Sequence, residues 1–175
     1  MSKSKRDLYQ PPYSLTPTIL RRVAEISEAI GRYTALTDSR LTPRLRRENR
    51  VRTIHASLAI ENNTLTLEQV TAVIDGKRVL GNPREIQEVR NAFAAYEAME
   101  DWEPTSRDDL LAAHGLLMAG LVDDAGRLRS GNVGVFHGEQ LIHMAPPAKR
   151  VPHLIDDLLD WLKRTDAHPL VASCV

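Results

Sequence analysis

Residues 51–76, VRTIHASLAIENNTLTLEQVTAVIDG, decide the fold. Val51, Ile54 and Leu58 recur three and four residues apart, which sets one apolar stripe along a helix. Asn62-Asn63 follows, and asparagine accepts the left-handed backbone that closes helices, so the helix is expected to stop there. Thr66 and Gln69 have the spacing of a capping box, Leu65 is placed to staple onto Val70, and Gly76 ends this second segment. A helix, a hard stop and a short capped helix read as consecutive parts of a helical domain.

The same logic extends in both directions. Upstream, Pro11 and Pro12 predict an extended arm over residues 1–15. Thr16 can cap a helix that opens on Pro17 and carries Ile19, Val23, Ile26, Ile30 and Tyr33, with Gly31 weakening its end. Thr42 and Pro43 open the helix of Val51, Ile54 and Leu58 in the same manner.

Downstream, Asn82 caps a helix with Pro83 inside it, Glu85 at the reciprocal position, and Ile86, Val89, Phe93 and Tyr96 as its buried stripe. Trp102-Glu103-Pro104-Thr105 interrupts, because the residue before proline avoids helical geometry. Ser106 with Asp109 starts a fifth helix bearing Leu110, His114, Leu117 and Leu121. Glycines at 126, 131, 134 and 138 then change the period, and Val133 to Phe136 and Leu141 to His143 read as strands joined at Gly138-Glu139. Leu154, Leu158, Trp161 and Leu162 mark a sixth helix, and a seventh begins near His168-Pro169. The fold class expected is mostly α, a helical bundle with one β-hairpin.

Composition removes several function classes. Lys plus Arg equals Asp plus Glu at 23 each in 175 residues, so no overall field favours nucleic acid or an anionic membrane. No apolar run reaches transmembrane length, and the start of the chain has no signal-peptide core, which predicts a cytoplasmic protein. The single cysteine, Cys174, lies among small apolar residues and is expected as a buried thiol.

Familiar catalytic signatures are missing too. Ser130-Gly131-Asn132-Val133-Gly134 lacks the Lys-Ser/Thr pair and the helix of a phosphate loop. His137 and His143 sit on opposite hairpin arms without a carboxylate or cysteine cluster, so no metal site is expected. Arg40, Arg44, Arg46, Arg47, Arg50 and Arg52 spread over more than one helical face with no interleaved aromatics. They read as a solvated face partly paired with Glu48, not as a nucleic-acid surface.

Glu61 is the unusual residue. It falls in the last turn of its helix, where the dipole is already negative, and Ser57 precedes it by one turn on the same face. Either a cation from elsewhere in the fold meets this carboxylate, or it is an exposed and mildly unfavourable side chain.

Ser57-Leu58-Ala59-Ile60-Glu61-Asn62 resembles the inhibitory motif of Fic proteins, which reads Ser or Thr, three residues, Glu, then Gly or Asn. Glu85 to Phe93 resembles the helix that follows it in that family. Leu111 to Leu121 and Ala125-Gly126-Arg127-Leu128-Arg129 resemble the helix and turn leading to the family's hairpin. Pro146-Pro147 with Val151, Leu154, Leu158, Trp161 and Leu162 resembles the next helix, and His168-Pro169-Leu170 the start of the catalytic one. The resemblance runs through nearly the whole chain in order.

The resemblance implies a Fic-like bundle with a flap, divided into an arm (1–15), an N-terminal region with the inhibitory helix (16–100) and the first part of a catalytic domain (101–175). It implies transfer of AMP from ATP, with Mg2+, to a Ser, Thr or Tyr hydroxyl of a target protein. Ser57, Glu61 and Asn62 would form the inhibitory element at the ATP site, with Glu61 pairing with an arginine of the catalytic loop. Val133, Val135, Phe136, Leu141, Ile142 and His143 would form the flap that holds a target segment by strand addition. The His-x-Phe and Asp/Glu-Gly-Asn-Gly-Arg motif of Fic catalysis is not in the sequence, and His168-Pro169-Leu170 does not replace it. The expectation is the front part of an adenylyltransferase, inactive alone, with a homodimer left open. The other reading is a non-enzymatic inhibitory or target-binding module that works with a separate catalytic half.

Overall fold

In the computed structural model, which describes residues 8–36 and 43–175, the described residues form seven α-helices and one antiparallel hairpin. The helices are α1 (Pro17–Leu36), α2 (Pro43–Ile60), α3 (Leu67–Ile74), α4 (Pro83–Ala98), α5 (Arg107–Met118), α6 (Val151–Arg164) and α7 (Pro169–Ala172). The strands are β1 (Gly134–His137) and β2 (Gln140–Met144). No helix among the described residues is long and apolar enough to cross a membrane.

The core forms where α2, α3 and α4 meet. Ile54, Val70 and Val89, one from each helix, are the largest side chains fully withdrawn from solvent. Val51, Leu65, Val73 and Ala92 complete the buried cluster, and Leu58, Ile86, Phe93 and Tyr96 cover it while staying half-buried. The apolar stripes expected on α2 and α4 thus face one another across α3. Further along, α4 packs on α5 and α5 on α6, where Trp161 and Leu159 are buried.

Helix ends follow their local chemistry closely. Asn62 adopts φ 66°, and the amides of Asn62 and Asn63 donate to the carbonyls of Ala59 (3.1 Å) and Leu58 (3.0 Å), closing α2 in a Schellman turn. Gly76, at φ 71°, repeats the motif for α3 through Gly76 N–H to Val73 (3.0 Å) and Lys77 N–H to Ala72 (2.9 Å). Thr66 and Gln69 make both bonds of the capping box, and Leu65 lies in the same cluster as Val70.

Several expectations change on folding. Asn82 caps α4 by accepting from Arg84 N–H (2.9 Å), but Glu85 does not reach back to it. Glu85 instead accepts from the Thr64 amide (3.2 Å) and hydroxyl (2.9 Å), because the turn after α2 lies against the start of α4 and offers two donors. Ser106 caps α5 as expected, but the helix ends at Met118, before Leu121. Gly120 turns the chain at φ 70°, and the buried Asn91 amide donates to the carbonyls of Leu117 (2.9 Å) and Ala119 (2.8 Å), satisfying the end of the helix from α4. Cys174 is exposed, not buried, because its segment borders an open groove of about 410 Å3 beside α1.

The arginines of α2 do more than solvate it. Arg44 pairs with Glu48 (2.9 Å), but Arg47 reaches Asp75 at the end of α3 (2.5 Å) and Arg50 reaches Glu97 of α4. Arg40 and the Thr42 cap lie outside the described residues, as do residues 1–7 of the arm. Residues 8–16 run without helix or strand, and Tyr13 sets its ring edge against Trp161, centroids 6.4 Å apart. Thr16 caps α1 through the Ile19 amide (3.2 Å), while Ile19, Ile26, Ile30 and Tyr33 of its stripe remain exposed.

Replacing Ile54, which is 0% exposed, by alanine should therefore cost about 3 kcal/mol in urea unfolding, the usual scale for a large core truncation. A loss within error would place the core elsewhere. Asp75 titrates below its ordinary range, chiefly through the hydrogen bond from Arg47 and next through that from Lys77. A carboxyl depressed in this way stabilises the fold above its unfolded pKa and loses that contribution as pH falls through the folded value. Asp75→Asn should accordingly melt below the parent at neutral pH, with the gap closing on acidification. A gap that stays constant down to acid would exclude the pair from folding linkage.

Candidate functional site

The end of α2 is where the sequence departs from plain helix design, and the structure gives it a defined geometry. Ile60 is the last helical residue, so Glu61 occupies the C-cap and Asn62 the left-handed position after it. Ser57, Glu61 and Asn62 are all exposed, and so is Ile60, at 79%. The carboxylate stands at the negative end of the α2 dipole. Among the described residues no hydrogen bond or ion pair reaches it. Among the described residues, then, Glu61 stands exposed, with no cation against it.

What fixes this turn is its neighbour, Asn63, which sequence reasoning missed as a site residue. Asn63 is 9% exposed and uses its whole amide. Nδ2 donates to the Glu85 carbonyl (3.1 Å) and to Glu88 Oε2 (2.9 Å), and Oδ1 accepts from the Leu65 amide (3.2 Å). Its own N–H closes α2 on Leu58. With Thr64 held by Glu85, the turn carrying Glu61 is tied to α4 by four hydrogen bonds. Only the asparagine doublet hinted at this in the sequence, because the partners lie 21 to 25 residues away.

The hairpin is the second candidate. His137 pairs with Gln140 across a two-residue turn in which Gly138 takes φ 60°, a conformation open to glycine at no steric cost. The register runs Val135 opposite His143 and Phe136 opposite Leu141, which leaves Ile142 as an unpaired bulge that the sequence did not reveal. Val133 precedes β1, though its carbonyl still accepts from Ala145 N–H (3.1 Å). All six expected flap residues are exposed, Phe136 and Ile142 each by 59%.

Polar contacts at the base aim this apolar ribbon. Arg129 donates to the carbonyls of Gly131 and Pro146, and Asn132 Oδ1 accepts from the Ala148 amide (3.0 Å). Behind them Gly126, at φ 77°, donates to His114 Nδ1 (2.9 Å) and approaches α5 so closely that a Cβ would stand 3.3 Å from the Leu111 carbonyl.

Among the described residues no group of three or more His, Cys, Asp or Glu side chains converges, and the pairing of His137 with Gln140 and of His143 with Val135 sets the two histidines apart along the ladder.

Comparison with known proteins accords with this anatomy. Residues 104–175 match the Fic/DOC family. A Fic family protein from Desulfovibrio desulfuricans G20 superposes with a TM-score of 0.88 at 76% identity, over 95% of this chain and 51% of that one. Residues 134–508 of Fic-1 from C. elegans superpose with a TM-score of 0.65 at 26% identity, over 83% of this chain and 44% of that one. The chain spans about half the length of these solved chains. The match over 104–175 and the fold shared along almost the whole chain lead to one conclusion: this chain belongs to the Fic/DOC family.

Proposed function

We propose that this chain is the regulatory and target-docking part of a protein AMP-transferase, with Glu61 as its inhibitory carboxylate and the hairpin as its docking edge. The observation that carries the reading is the Glu61 turn, an exposed carboxylate without a partner among the described residues, on a backbone bonded into the core of a Fic-family fold. A carboxylate at a helix C-terminus gains by meeting a cation, and a segment bearing the family's Gly-Asn-Gly-Arg arginine supplies one. In this reading ATP and Mg2+ are held chiefly by that segment.

The hairpin supports the second half of the proposal. A two-stranded ribbon with exposed Val135, Phe136, Leu141 and Ile142 has unpaired backbone along its edges, suited to adding a strand from a target that offers Ser, Thr or Tyr. The bulge at Ile142 increases the local twist and limits how far such pairing can run.

The test joins this chain to a Fic catalytic segment and follows AMP transfer from labelled ATP. Glu61→Gly should raise self-modification by about tenfold or more, a factor equal to about 1.4 kcal/mol. Unchanged activity would remove Glu61 from the mechanism. Val135→Asp, at a position 60% exposed and so tolerant of charge, should reduce modification of the target while leaving ATP affinity within about twofold, less than the 1.4 kcal/mol of a tenfold change. Equal loss of both would mean misfolding instead of impaired docking.

A further inference from the structure

We infer that Asn63, acting with Glu85 and Glu88 of α4, is the positioning device that sets the strength of inhibition by Glu61; the inference rests on the inhibitory reading of that residue. The argument begins with what holds Glu61 in place. Its side chain has no partner among the described residues, so its location is fixed through the backbone of the turn alone. That backbone is pinned at two points. The amides of Asn62 and Asn63 tie it to α2, and the Asn63 side chain with Thr64 ties it to α4.

The two attachments differ in kind. The Schellman turn is local and moves with α2. The Asn63 clamp crosses to α4 and orients the turn relative to the rest of the fold. Its bond to Glu88 joins a neutral donor to a carboxylate, the stronger class of hydrogen bond, in a partly buried site. Arg84 lies 3.5 Å from the same carboxylate and helps hold it in place. Loosening the clamp therefore leaves Glu61 present but free to swing, and the cation it is meant to occupy becomes available more of the time.

Asn63→Asp isolates this effect. The substitution preserves shape, the backbone bond to Leu58 and the acceptor for Leu65, but it removes both Nδ2 donations and sets a second negative charge against Glu88. The partner change Glu88→Gln supplies an amide donor to the new carboxylate and restores one bond with reversed polarity. In this chain joined to a Fic catalytic segment, Asn63→Asp should raise self-modification about tenfold, toward the level of Glu61→Gly. Adding Glu88→Gln should bring it back to within about threefold of the parent, and Asn63→Asp in the Glu61→Gly background should add nothing, the non-additivity expected of residues acting through one another.

Asn63→Asp that lowers activity together with melting temperature in both backgrounds, without rescue by Glu88→Gln, would overturn the inference and leave Asn63 a structural residue. Release by Glu61→Gly with no change in Asn63→Asp would overturn it while sparing the inhibitory reading. No release by Glu61→Gly would end both.

Discussion

The burial of Ile54, Val70 and Val89 in one cluster is the constraint on which the remaining structure depends. Each comes from a different helix and each is β-branched, so its side chain has little rotamer freedom and fixes its helix relative to the other two. Once α2, α3 and α4 meet there, the chain between α2 and α3 has only residues 61–66 in which to reverse. That short link brings Asn63 and Thr64 against the first two turns of α4 and leaves Glu61 on the outside. The Glu61 turn is thus a by-product of core packing as well as of its own sequence, and its exposure comes with a backbone bonded into the fold.

The hairpin obeys a different rule. It contributes nothing to the buried cluster, and an isolated two-stranded ribbon is marginal in water. Its orientation derives from polar bonds at the base, Arg129 to two carbonyls and Asn132 to the Ala148 amide, and from the close approach of Gly126 to α5. An apolar surface carried on polar supports can stay exposed without drawing the core open, an arrangement suited to docking. The exposed stripe of α1 and the groove it shares with the end of α7 are a second apolar surface, beside which Ser27 of α1 meets His168 (3.5 Å).

Features governed by neighbouring residues were legible in the sequence. The Thr66 and Gln69 box, the left-handed Asn62 and Gly76, the Gly138 turn and the Ser106 cap all depend on atoms within a few positions of one another. What failed to show was decided between elements. Glu85 has a good local cap to make and gives it up for Thr64; Arg47 and Arg50 leave the solvated face for Asp75 and Glu97; Asn91 leaves its own helix to finish α5. Buried asparagines are hard to read because polarity predicts exposure, and the partners of the Asn63 and Asn91 amide nitrogens lie 22 or more residues away. The Ser57 to Asn62 motif was readable as a pattern, whereas the clamp that holds it was not.

The most direct measurement is amide hydrogen exchange across the 175-residue chain. The account predicts that Asn62 and Asn63, although they lie in a turn at the protein surface, exchange as slowly as Val89 in the core, while the hairpin amides of Val135 and Ile142 exchange far faster. Exchange at Asn62 and Asn63 as rapid as in the hairpin would contradict it, because an inhibitory carboxylate on a loose turn would have no fixed place in the fold.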